Sequence, residues 1–179
     1  MFTLTVDNDV QIGLLEPRHG EQLFRLINAN REHLREWLPW VDSTRTVVDS
    51  ASFIKDCLQK FAAGSDVGVG MWYQGELVGH MSLMHIRPKH KAEIGYWLSS
   101  EYEGRGVMSR AAAALIEYGF DELGLERIEI LCRSTNARSQ AVAQRLGFTL
   151  EGVQRHGEYH DGTYYDFEVY SLLAADRKQ

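Results

Sequence analysis

Two N-terminal segments place apolar residues at helical spacing. Between residues 23 and 38 leucine, isoleucine and tryptophan recur mostly three or four positions apart, which predicts an amphipathic helix. A second stripe over residues 53–61 predicts another helix, with Asp49 or Ser50 as its expected N-cap. Residues 10–15 are apolar and extended in character, so a strand is expected before both helices.

The pattern changes to that of strands after residue 66. Residues 67–73 and 76–86 are two apolar-rich runs separated by Gln74-Gly75, a dipeptide that suits a hairpin turn. Residues 92–98 predict a third strand. Three antiparallel-looking strands are therefore expected in the middle of the chain.

The C-terminal half alternates helices and strands. The pattern predicts an alanine-rich helix over 109–123, a strand over 127–132 and a short helix over 137–146. The last segment, 148–173, is typical of a long hairpin that turns at Asp161-Gly162.

Together these elements predict one α/β domain over residues 1–179, with a mixed, mostly antiparallel central sheet flanked by helices. The strand–helix–strand run from 92 to 132 implies one parallel pair, because parallel neighbours are joined by a crossover connection.

Composition and charge exclude several classes of protein. The 179 residues carry a formal net charge of −6, which argues against a nucleic-acid partner. Both cysteines lie in apolar segments and are expected to be buried thiols. No apolar run approaches the roughly 20 residues that span a bilayer, and the N-terminus lacks the features of a signal peptide. A cytoplasmic protein without membrane contact is expected.

A glycine-containing turn between a strand and a helix is the most informative stretch. Gly104 and Gly106 follow the strand that ends near Leu98, and Ser109 and Arg110 open the next helix. Glycines allow close backbone approach, and the free N–H groups of a helix start favour an anion such as pyrophosphate. The turn lacks the Gly-Lys-Ser/Thr of a P-loop and the third glycine of a dinucleotide fold. An ordinary tight loop remains the alternative on these residues alone.

The order of elements and this turn resemble the GNAT acetyltransferase superfamily over the whole chain. The family's acetyl-CoA motif is Gln/Arg-x-x-Gly-x-Gly/Ala, and residues 103–108 (EGRGVM) occupy the corresponding position. The first position is Glu103 and the last is Met108, both departures from the family pattern. Because backbone N–H groups do most of the phosphate binding, cofactor binding is expected to survive both.

Further motifs are similar to the ribosomal-protein-serine acetyltransferase branch of that family. They are residues 92–98 (AEIGYWL) with 104–109 (GRGVMS), 136–143 (NARSQAVA) with 146–148 (LGF), and Glu158-Tyr159 before the hairpin turn. This resemblance implies acetyl-CoA in the cleft between splayed central strands, no metal, and a homodimer. It implies these cofactor-binding residues: Trp97, Leu98, Gly104, Arg105, Gly106, Val107, Met108, Ser109, Arg110, Asn136 and Ser139.

The implied reaction is aminolysis of a thioester, which needs a neutral amine and a proton for the leaving thiolate. The resemblance makes Glu158 the candidate base and Ser139 the candidate acid. On the residues alone, Glu158 would be an exposed strand glutamate and Ser139 a helix-capping serine. Asn136 could cap the same helix, bind the cofactor, or do both. Glu93, on the central strand, is a rival base.

Two other kinds of chemistry compete with this assignment. Cys132 could be a nucleophile, but its apolar strand face favours a core position. His156, Glu158 and His160 alternate along one expected strand face and could hold a metal. A polar acceptor wall, in which a histidine orients Glu158 or replaces it as base, is the simpler interpretation.

The resemblance implies that the acceptor amine enters near residues 37–40 (WLPW), where the helical pattern is broken. The candidate substrate-binding residues are Trp37, Trp40, Glu93, Tyr159 and His160. The expected acceptor is the N-terminal α-amine of a protein such as a ribosomal protein. The alternatives are a small amine, such as an amino sugar or polyamine, and a non-catalytic acyl-CoA-binding regulatory module.

Overall fold

A computed structural model describes residues 2–177 of the chain. These residues form eight strands: β1 Thr3–Thr5, β2 Val10–Gly13, β3 Val67–Tyr73, β4 Glu76–Arg87, β5 Lys91–Leu98, β6 Arg127–Arg133, β7 Thr149–His160 and β8 Thr163–Leu173. The same residues form five α-helices: α1 Gly20–Ala29, α2 Arg31–Arg35, α3 Val47–Ala62, α4 Val107–Asp121 and α5 Ala137–Arg145.

The strands form one mixed sheet in the order β1-β2-β3-β4-β5-β6-β8-β7. β5 and β6 are parallel and pair through Lys91–Glu93 and Arg127–Glu129, although each strand runs on beyond those three residues. The pairs β1–β2, β2–β3, β6–β8 and β7–β8 are antiparallel. The predicted fold class and the predicted parallel crossover are therefore confirmed.

Both predicted hairpin turns occur at the expected residues. Gln74 and Gly75 have φ values of 51° and 85°, and Asp161 and Gly162 have φ values of 47° and 78°. Two successive residues with positive φ suit the right-handed twist of the strands that they join. The turn chemistry of the sequence was thus sufficient to locate both hairpins.

Three local features differ from what the sequence led us to expect. β1 was not predicted, and it pairs with β2 from Thr3 opposite Gly13. Helix α3 begins earlier than expected: its N-cap is Thr46, which accepts a hydrogen bond from the Asp49 N–H, so Asp49 completes a capping box. The helix predicted over residues 23–38 is broken at Asn30, which separates α1 from α2.

The break at Asn30 has a clear cause. Its buried side chain donates to the Leu26 carbonyl at 2.9 Å, and its Oδ1 accepts from the Ser100 backbone N–H at 3.0 Å. A side-chain amide that serves the backbone in this way competes with helix continuation. Asn30 therefore fixes the segment that precedes the glycine turn.

The chain divides into two compact units. One contains the residues up to Ser82 together with Tyr96–Ala114, and the other contains Leu83–Gly95 together with the residues from Leu115 onward. The first has an apolar core of Leu15, Leu23, Ile27, Leu34, Val41, Ile54, Leu77 and Trp97. The core of the second includes Ile128, Ile130 and Cys132, the face of β6 that the sequence predicted to be buried. That residues 1–179 make a single domain stays a prediction.

No helix in the described part of the chain combines the length and apolar character needed to cross a bilayer.

Candidate active site

The glycine turn leads directly into α4. Gly104 and Gly106 have φ values of 74° and 71°, a region that favours glycine, and the Arg110 N–H donates to the Gly106 carbonyl at 3.1 Å. Val107 and Met108 are buried, so only their backbone groups are available at the turn. The first turn of α4 contains no acidic side chain. The arrangement matches the predicted anion site, and the phosphate contacts themselves stay a prediction.

The side chains of Arg105 and Arg110, the two arginines of this turn, each contact another side chain of the protein. The Arg105 guanidinium lies over the ring of Tyr102, 5.2 Å from its centroid. Arg110 Nη1 lies 2.6 Å from Asp7 Oδ2. Backbone N–H groups, aided by Arg110, lower the pKa of Asp7 below its ordinary value. Asp7 therefore stays charged and orients the guanidinium of Arg110, which is one of the predicted cofactor-binding residues.

Arg31 holds the backbone of the segment that follows Trp40. Arg31 donates to the carbonyl oxygens of Val41 at 2.6 Å and Thr44 at 2.7 Å. Trp40 is 38% exposed, and its ring centroid lies 6.2 Å from that of Trp97, which is buried in the core. Trp40 is therefore available to an acceptor, whereas Trp97 could meet a cofactor only through its backbone. Trp37, on the same segment, is half-buried.

Ser139 lies in the first turn of α5, and Asn136 is the N-cap of that helix. Asn136 Oδ1 accepts a hydrogen bond from the Ser139 N–H at 3.0 Å. The capping role considered for Ser139 thus belongs to Asn136. The Ser139 side chain is hydrogen-bonded to Cys132.

Cys132 is a buried thiol in the core. Burial raises its pKa to about 11, although the hydrogen bond with Ser139 partly opposes that effect. Nucleophilic cysteines have a lowered pKa because the thiolate is the reactive form. The structure therefore supports the core interpretation of this residue.

Glu158 follows an irregularity in the β7–β8 ladder. Gln154 pairs with Phe167 and Glu158 pairs with Tyr165, so the three residues 155–157 lie opposite Asp166 alone. His156 has a φ of 53°, and its N–H donates to Asp166 Oδ1 at 2.8 Å. The bulge interrupts the regular alternation of His156, Glu158 and His160 that the sequence suggested.

The partner of Glu158 was missed by sequence reasoning. Glu158 Oε2 lies 2.5 Å from Nε of Arg133, whose side chain is only 5% exposed. The Arg133 guanidinium lies over the ring of Tyr165, 4.0 Å from its centroid. Arg133 lies on the face of β6 that also carries Arg127 and Glu129, so the strand pattern alone gave no signal that this arginine is buried against a partner.

The histidines of the hairpin have other contacts. His156 stacks on Tyr164 with ring centroids 4.6 Å apart, and His160 Nε2 lies 3.5 Å from Asp161. Tyr159 is 63% exposed and also packs against Tyr164. The observed ion-pair partner of Glu158 is therefore Arg133 rather than a histidine. Within residues 2–177, no three His, Cys, Asp or Glu side chains are grouped so that they could hold a metal ion.

Glu93 keeps its place as a rival base. Its side chain is 26% exposed, and Oε2 lies 3.7 Å from His85 Nδ1. Burial, partly opposed by His85, raises the pKa of Glu93 above its ordinary value. A carboxylate with a raised pKa is a stronger base, so Glu93 stays a candidate for that role.

A strand, a glycine turn and a helix start that suits pyrophosphate are the features expected of a coenzyme A-dependent acyltransferase. Residues 11–149 match the acetyltransferase (GNAT) domain family, and the chain belongs to that family.

Relatives of known structure and function agree with this assignment. The ribosomal-protein-serine acetyltransferase of Escherichia coli (strain K12) is 31% identical over 172 residues, which cover 96% of each chain. The structure of the ribosomal L7/L12 α-N-protein acetyltransferase RimL with coenzyme A has a TM-score of 0.93 and 28% identity, covering 98% of this chain and 99% of that one. The microcin C7 self-immunity acetyltransferase MccE, solved with acetyl-CoA and AMP, has a TM-score of 0.90 and 30% identity over 94% of each chain.

The protein is therefore an acetyl-CoA-dependent N-acetyltransferase, with acetyl-CoA as its co-substrate.

Proposed function

We propose that the acceptor is the N-terminal α-amine of a protein, with the N-terminal serine of a ribosomal protein as the first candidate. The observation that carries this proposal is the likeness to the Escherichia coli ribosomal-protein-serine acetyltransferase along 96% of both chains. An acceptor preference depends on loops as well as on the central strands, so likeness over the full length is more informative than a shared cofactor motif.

The chemistry of an α-amine suits the residues available. Its pKa is near ~8, so about a tenth of the molecules are neutral at pH 7, whereas a lysine amine near ~10.4 is almost entirely charged. A carboxylate is too weak a base to deprotonate a lysine efficiently, but it can accept the proton that an α-amine loses during attack. Glu158 fills this role in the proposal, and Glu93 is the alternative.

Transfer proceeds directly between the two substrates. The amine nitrogen attacks the acetyl carbonyl carbon, the C–S bond breaks, and Glu158 takes the amine proton. The Ser139 hydroxyl donates a proton to the departing coenzyme A sulfur and regains one from solvent, to which Glu158 releases its own. The buried Cys132, with its pKa raised to about 11, supports a route without an acetyl-cysteine intermediate.

The remaining assignments support binding. The backbone of residues 104–110 receives the pyrophosphate, Asn136 receives the pantetheine arm, and Trp37 and Trp40 contact the acceptor together with Tyr159 and His160. Arg31 donates hydrogen bonds to two backbone carbonyl groups after Trp40, which is consistent with a preformed acceptor surface.

A small amine is the second candidate acceptor. The MccE structure, which matches the chain as well as the ribosomal enzymes do, contains AMP beside acetyl-CoA. The same fold at similar identity therefore serves an acetyltransferase with a different kind of ligand, and an acceptor panel has to include metabolites.

The test measures coenzyme A release with serine-initiated peptides, lysine peptides, polyamines and amino sugars. Glu158→Gln, Ser139→Ala and Glu93→Gln are compared with the unmodified protein. Loss of a general base lowers kcat by about 10²- to 10⁴-fold, so Glu158→Gln is expected to lose turnover on serine-initiated peptides while the acetyl-CoA KM is unchanged. If Glu93→Gln loses this turnover and Glu158→Gln keeps it, the base is Glu93.

Other outcomes decide between the acceptors. Turnover on a polyamine or an amino sugar, with none on peptides, would reject the protein acceptor and keep the acetyltransferase chemistry. Acetyl-CoA binding without turnover on any amine would favour a regulatory module.

Two further expectations rest on the resemblance alone. A homodimer is expected, and light scattering coupled to size-exclusion chromatography measures it. A cytoplasmic location is expected, and fractionation of the source cells tests it.

A further inference from the structure

The β7 bulge changes which residue lies opposite Tyr165. In an unbroken ladder that continues from the Gln154–Phe167 pair, His156 would face Tyr165. The two extra residues of the bulge move Glu158 into that position instead. Because directly opposed residues share one face of a sheet, the bulge delivers the carboxylate to the face on which the Tyr165 ring lies.

Specific contacts hold the bulge in place. The His156 N–H, which the bulge removes from the ladder, donates to the Asp166 carboxylate at 2.8 Å. The backbone of Gly157 approaches the Phe167 ring so closely that a Cβ would lie 3.0 Å from it. A larger residue at position 157 would have to displace either the ring or the strand, so the local sequence favours this one arrangement.

Arg133 completes the arrangement from the neighbouring strand. Arg133 pairs with Phe167 across β6 and β8, which puts it diagonally next to Tyr165 on the same face. Its guanidinium stacks on the Tyr165 ring and donates from Nε to Glu158 Oε2. A stacked, planar guanidinium has little rotational freedom, so the position of Oε2 is set by β6 and β8 as well as by β7.

We propose that Arg133 is a positioning residue for the acetyl transfer: together with the Asp166-closed bulge, it holds Glu158 in the orientation that accepts the amine proton. The proposal rests on the proposed role of Glu158. It assigns to Arg133 and Asp166 an effect on kcat that they exert only through that carboxylate.

A double-mutant cycle of Arg133→Gln and Glu158→Gln tests the proposal. Misplacement of a catalytic group by about 1 Å costs on the order of 10²-fold in rate, so Arg133→Gln is expected to lower kcat by about that factor and leave the acetyl-CoA KM unchanged. In the Glu158→Gln background the same substitution is expected to cause no further loss, because residues that act as a unit are not additive.

Arg127→Gln is the matched control. Arg127 also joins β6 to β7, with Nη1 2.7 Å from Glu151 Oε1, but it does not contact Glu158. It is expected to lower the melting temperature without a loss of kcat. Arg133→Lys keeps the cation without the planar fork, so its kcat is expected to lie between those of the unmodified protein and Arg133→Gln.

A second pair of variants covers the case in which Arg133→Gln does not fold. Asp166→Ala removes the acceptor of the His156 N–H, whereas Asp166→Asn keeps an oxygen at that place. Asp166→Ala is expected to lower kcat, and Asp166→Asn to restore most of it.

The outcomes separate the two proposals. If Glu158→Gln abolishes turnover but Arg133→Gln and Asp166→Ala keep the full kcat, the positioning role is wrong and the base stands. The positioning role is also wrong if the losses in the cycle are additive, or if Arg127→Gln loses as much kcat as Arg133→Gln. If Glu158→Gln keeps the full kcat, the assigned base is wrong and the positioning role falls with it.

Discussion

Replacing Asn136 separates two roles that the sequence assigned to one side chain. Asn136 Oδ1 caps α5 by accepting the Ser139 N–H at 3.0 Å. The resemblance to the acetyltransferases adds a contact between the Asn136 amide and the pantetheine arm. Asn136→Ala removes both functions, whereas Asn136→Asp keeps an oxygen at the cap and removes the amide N–H donors.

Typical energies of an N-cap and of a hydrogen bond give a magnitude for each effect. Loss of an asparagine N-cap to alanine costs about 1 kcal/mol, and aspartate caps about as well as asparagine. For a domain of this size 1 kcal/mol corresponds to a decrease of about 2–4 °C in melting temperature. Loss of one neutral hydrogen bond to the cofactor costs about 0.5–1.5 kcal/mol, or about a 2- to 13-fold increase in the acetyl-CoA KM.

Thermal unfolding and acetyl-CoA titration of the two variants test this reasoning. We expect Asn136→Ala to melt earlier, Asn136→Asp to melt like the unmodified protein, and both to show a raised acetyl-CoA KM. Equal loss of melting temperature in both variants would refute the capping argument. An unchanged KM in both would refute the contact with the cofactor.

Three further predictions concern the turn, a buried histidine and the buried thiol. Gly106→Ala is expected to lower stability by about 1 kcal/mol because its φ is 71° and to raise the acetyl-CoA KM; Gly64→Ala, at a φ of 69°, is the control that should share only the loss of stability. Burial lowers the pKa of His80 from 6.5 to about 4, so the fold favours the neutral imidazole and stability is lost as the pH falls from 6.5 towards 4, by about 3 kcal/mol in total. Urea unfolding between pH 7 and pH 4.5 should therefore show a steeper loss in the unmodified protein than in His80→Gln, and equal slopes would contradict the assignment. Cys132→Ala is expected to keep its kcat in the coenzyme A release assay, and an inactive, folded variant would reopen the covalent route.

Features encoded by neighbouring residues were predictable from the sequence. Gly75 and Asp161-Gly162 are residue types that favour positive φ, and these turns fixed two hairpins. The glycine turn before α4 was equally visible in the sequence, and Gly104 and Gly106 both have positive φ values.

Features that depend on strand register were not predictable in the same way. Arg133 on β6 contacts Glu158 on β7 across the intervening strand β8. The contact depends on a bulge that shifts β7 by two residues against β8. A regular alternation of His156, Glu158 and His160 was the natural expectation, and the Asp166 carboxylate that breaks it lies on the other strand. The N-cap at Thr46 was missed for a local reason: Asp49 is itself a good capping residue, but it serves at the third position of a capping box.

The measurement that tests the central claim most directly uses one peptide with two amines. The peptide begins with a free serine and carries a single internal lysine, and fragmentation mass spectrometry locates the acetyl group after incubation with acetyl-CoA. We predict one acetyl group on the serine α-amine, lost in Glu158→Gln, and none on the lysine. Acetylation of the lysine alone, or of a polyamine in preference to this peptide, would contradict the assignment of a protein N-terminus as the acceptor.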